Sequence, residues 1–183
     1  MDGLVTMTPG MPLEHSGSGA TINDNGGVDF ENITLLRLDN VFTTAFDNYL
    51  IIISATSTAG VNVVMRMAGS KGVDSGTHYT EQSLNVDNTP PTGGRNTKPN
   101  FSLLNVHGNR VAGCEAHVYG PRLLQPTAIR TVKVSDFNNA YITETAGVHA
   151  PVPDPNVGYD GFEINTLSAT TITGNVIVMG YAE

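Results

Sequence analysis

The stretch Tyr49–Ala55, which reads YLIIISA, decides the fold class, because it is apolar almost without break and rich in isoleucine. A run of this length and composition is typical of a central β-strand. Val61–Met67, VNVVMRM, follows after a Ser-Thr-Ala-Gly turn, so the two segments are expected to pair as a hairpin. Upstream, Val28–Ile33, VDFENI, alternates apolar and polar residues as a strand with one buried face does. These segments predict an all-β protein.

The rest of the chain also consists of short strand-like segments separated by turns. Apolar positions nowhere recur at helical spacing over ten or more residues, so we expect no long helix and only a short helical turn around Asn40–Asp47. Two turn-rich stretches, Val86–Asn100 and Ala150–Asp160, have the length of functional or interface loops. Further strands are expected at Ala116–Tyr119, Ala128–Val134, Tyr141–Ala146, Gly161–Ile164 and Gly174–Tyr181.

Roughly eight strands in one unit are typical of a two-sheet antiparallel β-sandwich, of which the jelly roll is the best-known form. We assign residues 20–183 to a single domain of this kind. Residues 1–19 are less regular, with Pro9, Pro12 and a Ser-Gly repeat, and are expected to form an extended N-terminal arm. Such an arm has no core of its own, so we expect it to be ordered only against its own domain, a sister subunit or a shell protein.

Charge and composition exclude several classes of function. Seventeen acidic and nine basic residues give a net charge of −8, and Lys and Arg do not cluster, so nucleic-acid binding is not expected. No apolar run approaches the ~20 residues that cross a bilayer, so membrane insertion is not expected either. The start MDGLVTMTPG lacks the features of a signal peptide, and the single cysteine, Cys114, allows no internal disulfide. Synthesis in a reducing cytoplasm is expected, with Cys114 as a small buried residue.

Few residue patterns point to chemistry, and we predict no catalytic, metal-binding or cofactor-binding residue. Cys114 and His117 lie three positions apart, which on a strand places them on opposite faces. No G-x-S-x-G elbow is present, nothing selects a carboxylate pair, and the chain has no Trp to stack on a sugar. Asn23–Gly26, NDNG, resembles the start of a calcium loop, but a tight Asn-Gly hairpin turn explains it better. The five histidines, at His15, His78, His107, His117 and His149, have no paired spacing.

Two longer stretches carry a family resemblance: Leu38–Ile52, LDNVFTTAFDNYLII, and the C-terminal pair GYDGFEI at 158–164 and TITGNVIVMGY at 171–181. Together they resemble a β-module of tailed-bacteriophage virion proteins, of the tail-fibre, minor-tail and head-decoration types. In that module a strand ends in L-x-x-VF, a turn leads through [YF]DNY into a core strand, and the chain closes on G-x-[VI]-x-V-x-GY. Here Phe46 and Met179 stand where tyrosine is common, and both changes preserve an apolar side chain.

The structural core of this motif is Val41, Phe42, Asp47, Asn48, Tyr49, Gly161, Phe162 and Tyr181. We expect the first two to fill the end of the sandwich, each stabilising it by about 1.5–3 kcal/mol when fully buried. Asp47 and Asn48 are expected to cap turns, and the hydroxyls of Tyr49 and Tyr181 to tie a sheet to a loop. The residues expected to be largely buried are Phe42, Tyr49, Ile51, Ile53, Phe162, Ile177 and Tyr181.

The resemblance implies a non-enzymatic homotrimer on the virion surface, made in the cytoplasm of a bacterial host. Three functions stay open. The first is a capsid decoration or cement protein that binds the major capsid protein. The second is a tail-fibre or tail-tip adhesin that binds host-surface glycan and contacts other tail proteins. The third, a remote alternative, is an enzyme that degrades polysaccharide. The recognisable module begins within a few residues of Met1, without a shaft, and this favours decoration.

Overall fold

The structure is a computed structural model. It describes residues 3–4, 13–86, 92–135, 141–150 and 158–181. Across these ranges the protein is all-β and antiparallel, as predicted, and contains no helix. The described residues therefore include no helix with the length and hydrophobicity needed to cross a membrane. The strands are β1 (Gly3–Leu4), β2 (Leu13–Ile22), β3 (Val28–Leu38), β4 (Asn48–Thr56), β5 (Val61–Gly69), β6 (Gly72–Val73), β7 (Tyr79–Val86), β8 (Thr92–Lys98), β9 (Phe101–Val106), β10 (Ala112–Tyr119), β11 (Thr127–Ser135), β12 (Tyr141–His149), β13 (Gly161–Asn165) and β14 (Ile172–Tyr181).

These strands form one hydrogen-bonded sheet that curls into a half-barrel. The order is β6-β5-β13-β3-β14-β4-β10-β11-β12-β7-β8, with β1 added to β14, β2 to β3 and β9 to β5. The hydroxyl of Tyr79 on β7, near one end of this order, accepts a hydrogen bond of 2.9 Å from the backbone amide of Met67 on β5, near the other end. The two ends of the sheet therefore face each other across the core. The predicted two-sheet jelly-roll arrangement stays a prediction.

Strand β3 is where the sheet changes direction. It pairs with β2 along one edge, while on its other edge the first half pairs with β14 and the second half with β13. The register with β14 shifts between Ile172 and Gly174 beside this change of partner. Asn32 takes a left-handed backbone conformation there, with a φ of 48°, which asparagine adopts more readily than most residues. Its amide donates to Thr173 Oγ1 at 3.0 Å, which holds the bulge in place.

Aromatic residues of the predicted motif meet at one end of the core. The ring of Phe42 lies 4.8 Å from Tyr49 and 5.7 Å from Phe162, measured between ring centroids. All three side chains and that of Val41 are buried, as expected. The Tyr49 hydroxyl accepts a hydrogen bond from the amide of Thr43 at 2.6 Å and donates to the carbonyl of Thr43 at 2.7 Å. The prediction that Tyr49 ties a core strand to a loop is confirmed.

The predicted hairpin between the segments at 49–55 and 61–67 is wrong. Both segments are strands, but β4 pairs with β14 and β10, whereas β5 pairs with β13, β9 and β6. In the connection between them, Ser57 bonds to two segments that are distant in sequence. Its hydroxyl donates to the carbonyl of Thr171 at 2.8 Å, and its carbonyl accepts from the amide of Asn109 at 2.6 Å. The chain therefore crosses from β4 to the other side of the curled sheet.

Two predictions of irregular structure also need correction. The stretch at 86–100 is not a loop throughout, because Thr92–Lys98 forms β8 and pairs with β7. This edge strand reads TGGRNTK and is exposed along almost its whole length, so it has no apolar alternation by which to be recognised. The segment at 40–47 contains bends and a turn rather than a helical turn. By contrast, the turn predicted at Asn23–Gly26 is confirmed, since the amide of Gly26 donates to the carbonyl of Asn23 at 3.0 Å.

The residues of β14 that face the core differ from those predicted. Val176 and Val178 are fully buried, whereas Ile177 and Tyr181 are only half-buried. Successive side chains of a strand point to opposite faces, so once the valines face inward, Ile177 and Tyr181 must face outward. The Tyr181 hydroxyl lies 3.3 Å from His117 Nδ1, so it links β14 to β10 across the outer face rather than to a loop.

The predicted N-terminal arm, residues 1–19, lies largely outside the described residues. Where the chain is described, Gly3–Leu4 pairs with β14 and Leu13–Ile22 pairs with β3. The predicted boundary at residue 19 therefore falls inside β2. Most of the loop predicted at 150–160, namely residues 151–157, also lies outside the described residues.

Phe42→Ala should lower the free energy of unfolding by about 3–5 kcal/mol, because it empties a large site that is closed on two sides by aromatic rings. Urea unfolding followed by circular dichroism measures this change. Thr44→Ala, at an exposed position two residues away, is the control and should change the free energy of unfolding by less than about 0.5 kcal/mol. Equal effects of the two substitutions would show that Phe42 is not buried.

Gly161→Ala should destabilise the protein by about 1–3 kcal/mol or more, because an added methyl group would overlap the carbonyl oxygen of Leu38 on β3. Gly113→Ala is the matched control on another strand, since a methyl group there would lie 3.8 Å from its nearest neighbour, the carbonyl oxygen of Ile53. Thermal unfolding of both variants tests this. A melting temperature of Gly161→Ala that is no lower than that of Gly113→Ala would contradict the expected clash.

Candidate functional site

The predicted capping residues occupy the turn before β4, but their side chains do not cap it. Asp47 is exposed, and its backbone carbonyl accepts a hydrogen bond of 3.0 Å from the amide of Gly120. Among the described residues neither Asp47 nor Asn48 makes a side-chain hydrogen bond. Thr43 provides the cap instead, because its hydroxyl accepts from the amide of Ala45 at 3.3 Å. In this turn the hydroxyl of Thr43, and not the side chain of Asp47 or Asn48, makes the capping contact.

A different set of residues forms a polar cluster at the edge of the core. Asp74 follows β6, His78 immediately precedes β7, and His149 ends β12. The antiparallel register of β12 and β7 places His149 directly opposite Tyr79, and paired residues of two strands point to the same face. The pairing of these two strands therefore brings His149 to the turn that carries Asp74 and His78.

The carboxylate of Asp74 lies between the two imidazoles. Asp74 Oδ2 is 2.8 Å from His149 Nε2 and 3.0 Å from His78 Nδ1. One donor atom of each residue lies within 4.8 Å of the other two. The amide of Gly76 donates to Asp74 Oδ1 at 2.8 Å, so the turn itself orients the carboxylate. The Tyr79 hydroxyl donates to the backbone carbonyl of Asp74 at 2.8 Å.

Burial and hydrogen bonding set the charges of this cluster. Burial lowers the pKa of His149 below its usual value, although Asp74 opposes this, so the imidazole is neutral at pH 7. Burial would raise the pKa of Asp74, but hydrogen bonds from the Gly76 amide and from both histidines outweigh it and lower the pKa. The cluster therefore consists of a carboxylate and a neutral buried imidazole, together with His78.

His149 is the fixed member of the cluster and His78 the accessible one. His149 is fully buried, with its ring centroid 4.3 Å from that of Tyr79 and 5.0 Å from that of Tyr159. Its Nδ1 is buried and has no hydrogen-bond partner among the described residues. The side chain of His78 is 41% exposed, so the cluster reaches solvent on that side. Burial also raises the pKa of Tyr159 to about 12, so its hydroxyl stays protonated at neutral pH.

Sequence reasoning missed this cluster and set both histidines aside. Asp74 and His78 are four positions apart in a loop, and His149 follows only after most of the sheet has been built. No local spacing connects the three residues. The one available signal is that the polar residue His149 ends a strand pattern, and such a signal is common and unspecific.

A second polar network crosses the inner face and is structural. Lys98 Nζ donates to Glu81 Oε1 at 2.9 Å and to Ser102 Oγ at 2.6 Å, while Glu81 Oε2 accepts from the amide of Ser102 at 2.7 Å. These bonds fasten the start of β9 to β7. Lys133 is buried nearby, and burial lowers its pKa despite the attraction of Glu81.

The outer face of the same strands carries exposed apolar side chains. Val134 on β11 lies opposite Ile142 on β12, and Ile142 lies opposite Val86 on β7. These three residues are 53%, 53% and 47% exposed, and Leu84, two residues from Val86 on the same face of β7, is 46% exposed. We call Val134, Ile142, Val86 and Leu84 the outer-face stripe. Contiguous exposed apolar groups of this kind mark interaction surfaces more often than scattered ones do.

The charged residues around the outer-face stripe balance one another. Arg130 on β11 and Glu144 on β12 form an ion pair, with Nε and Oε1 2.6 Å apart. Strand register places Glu115 of β10 and Arg95 of β8 on the same face, opposite Val132 and Gln82 respectively. Among the described residues, two basic and two acidic side chains therefore balance each other around this stripe, whereas the whole chain carries −8.

Cys114 should be unreactive in the folded protein. It is buried beside Lys133, its cross-strand partner, and burial raises the pKa of its thiol to about 12. Because the thiolate is the reactive form, alkylation by iodoacetamide at pH 8 should be slower by at least about 100-fold in the native protein than in urea. Mass spectrometry of timed samples measures both rates. Rapid labelling of native protein would show that this part of β10 opens to solvent.

Comparisons with protein-family models, with curated proteins and with solved structures found no match to this chain. The resemblance to tailed-phage virion modules therefore depends only on the motif residues of the sequence. The functional assignment must come from the chemistry of the polar cluster and of the outer face.

Proposed function

We propose that this chain is a non-enzymatic structural protein of a tailed-bacteriophage particle, a capsid decoration protein that assembles as a homotrimer on the virion surface. The curled sheet is, in this proposal, a jelly-roll-like β-sandwich whose arm at residues 1–19 contacts a neighbouring subunit or the major capsid protein. The outer-face stripe carries the proposal, because it gives the sheet a surface suited to another copy of the same chain.

The outer-face stripe is suited to burial against protein. Its residues lie in register on three adjacent strands, so they form one band rather than isolated exposed side chains. Association that covers such a band removes apolar area from water at about 25 cal/mol per Å². Ala146 and Val148, also exposed on the outer face of β12, extend the band along the strand.

Charge favours a second copy as the occupant of this surface. Two copies of a chain with a net charge of −8 repel each other over most of their surfaces. The outer face differs, because its charged residues in the described part of the chain sum to zero and Arg130 is already paired with Glu144. Cyclic closure of such contacts gives a finite assembly instead of an open filament. The number three comes from the resemblance to trimeric phage modules.

A tail-fibre or tail-tip adhesin that binds host-surface glycan is the second candidate, and one observation favours it. A surface depression of about 260 Å³ is lined only by hydroxyl and amide side chains, which are the groups that hydrogen-bond sugars. No aromatic ring lines it, so it lacks the stacking surface typical of sugar clefts. The residues are Asn32, Thr56, Ser57, Thr58, Asn109, Thr171 and Thr173.

A polysaccharide-degrading enzyme is the most remote candidate. Catalysis of this kind uses two carboxyl groups that face a substrate. Three glutamates of the described residues are instead engaged with basic side chains: Glu81 with Lys98, Glu144 with Arg130 and Glu163 with Arg66. These ion pairs connect neighbouring strands, which supports a structural role.

Ile142→Glu should disrupt the oligomer, because it places a charge at the centre of the outer-face stripe. We expect light scattering at micromolar concentration to give a mass near three chains of 19.3 kDa each for the original protein and near one chain for this variant. Val111→Glu is the matched control, since Val111 is 67% exposed and lies outside the stripe. A monomeric original protein, or a trimeric Ile142→Glu variant, would contradict the proposed interface.

Immunogold labelling of intact particles separates decoration from adhesion. An antibody raised against the purified chain should place gold evenly over the heads. Gold confined to the tail would overturn decoration in favour of the adhesin, and particles without gold would oppose both.

A further inference from the structure

We propose that Asp74, His78 and His149 form a binding site for a divalent transition-metal ion of the zinc class. Two imidazole nitrogens and one carboxylate oxygen would bind the ion, and a fourth position would be open to water or to a group from outside the chain. This site is independent of the proposed virion role, because it lies on the inner side of the sheet and the outer-face stripe lies on the other.

The donor set is the first support for this site. Imidazole suits zinc, copper, nickel and iron, and two histidines with one carboxylate are a frequent ligand set for zinc and for ferrous iron. Calcium and magnesium prefer a shell made only of oxygen, so they are poor candidates here. The cluster contains no thiol, and Cys114 is buried elsewhere, beside Lys133.

Distances between the donor atoms are the second support. Ligand atoms that lie about 2.0–2.2 Å from a tetrahedral zinc ion are separated from one another by roughly 3.3–3.6 Å. Asp74 Oδ2 is already 2.8 Å from His149 Nε2 and 3.0 Å from His78 Nδ1, and no pair of donor atoms is more than 4.8 Å apart. Binding therefore needs the two imidazole donors to approach each other by at most about 1.5 Å, while the carboxylate oxygen moves outward by about 0.5 Å.

In this cluster His149 and Asp74 are held in fixed positions, whereas His78 can move. His149 is packed between the rings of Tyr79 and Tyr159 and is fully buried. The carboxylate of Asp74 is oriented by the amide of Gly76. His78, by contrast, is partly exposed and lies in the short connection before β7. It is therefore the ligand that moves on binding, and an ion enters the site from its exposed side.

Hydrogen bonds to the backbone hold the segments that carry Asp74 and His78 in place. The Tyr79 hydroxyl holds the backbone carbonyl of Asp74, and the amide of Ala150 donates to the carbonyl of His78 at 3.0 Å. The carboxylate of Asp74 contacts both imidazoles. His149 Nδ1 is buried and has no hydrogen-bond partner among the described residues, so Nε2 is the nitrogen of this ring that faces the cluster.

Metal binding changes the tautomer of His149 without changing its charge. In the metal-free cluster Nε2 faces the Asp74 carboxylate and carries the imidazole proton. A metal ion requires the lone pair of Nε2, so the proton moves to Nδ1, which no hydrogen bond of the described residues occupies.

Zinc binding by the full-length chain tests the site directly. The purified protein is stripped with a chelator, dialysed and titrated with ZnCl₂ against a chromophoric competitor. We expect one zinc ion per chain, with micromolar or tighter affinity. Cobalt(II) in place of zinc should produce the visible absorption bands of a four-coordinate ion, a signature that loose binding to surface carboxylates does not give.

His78→Asn should weaken zinc binding by more than about 100-fold, since loss of even an outer-shell group reduces metal affinity by about 10- to 100-fold. His78 is chosen because it is partly exposed, so the variant should keep the β-sheet circular-dichroism spectrum. His117→Asn is the matched control, because this histidine lies on the outer face of β10, next to Tyr181. It should bind zinc as the original chain does.

Thermal unfolding gives a readout that is independent of the competitor. An ion that binds only the folded chain raises the melting temperature in proportion to the logarithm of its concentration. Zinc should therefore raise the melting temperature of the original chain and of His117→Asn but not that of His78→Asn. The proposal is overturned if the original chain binds no zinc, or if His78→Asn binds it as tightly and is stabilised by it equally.

Discussion

The hydroxyl of Tyr79 joins the two ends of the curled sheet, and both the core and the polar cluster depend on this contact. It accepts a hydrogen bond from the amide of Met67 on β5 and donates to the backbone carbonyl of Asp74. The ring packs edge to face against Phe101 at 4.9 Å and against His149 at 4.3 Å. Burial raises the pKa of Tyr79 well above its usual value, so the hydroxyl keeps the proton that it donates. A single side chain thus closes the half-barrel and positions the proposed metal ligands.

The two-residue period of a strand separates the two candidate surfaces of this protein. On β12, His149 faces inward to Asp74, while its neighbour Val148 faces the solvent beside the outer-face stripe. On β7, Tyr79 and Glu81 face inward, whereas Leu84 and Val86 face outward. Because the sheet itself lies between them, self-association and metal binding can be altered by separate substitutions. This separation makes the two proposals testable one at a time.

The inner face of β11, β12 and β7 is more polar than the core beside it, and it remains packed because its polar groups meet one another. Thr131 and Thr145 lie opposite each other and share a hydrogen bond, and Thr143 donates to Asn85 at 2.9 Å. Glu81 is satisfied by Lys98 and by the amide of Ser102. Unpaired, such groups would weaken a core by about 1–3 kcal/mol each. The hydrogen bonds between side chains here join neighbouring strands, so the polar groups of this face are paired across the sheet.

By itself the sequence determined the fold class, the burial of Phe42, Tyr49 and Phe162, and the turn at Asn23–Gly26. Each of these follows from local chemistry: strand periodicity, the size of Phe42, Tyr49 and Phe162, and the ease with which Asn-Gly turns the chain. It also determined that Cys114 is a small buried residue, because its strand is apolar on that face.

Only the tertiary structure decided which strands are neighbours. The segments of β4 and β5 are adjacent in sequence and both strongly apolar, yet each pairs with other strands, β4 with β10 and β14 and β5 with β13 and β9. Strand β8 is polar throughout and exists as a strand because β7 offers it an edge. The Asp74, His78 and His149 cluster likewise exists only once β12 pairs with β7. Periodicity reports which side chains avoid water, but it carries no information about the distant backbone to which a strand will bond.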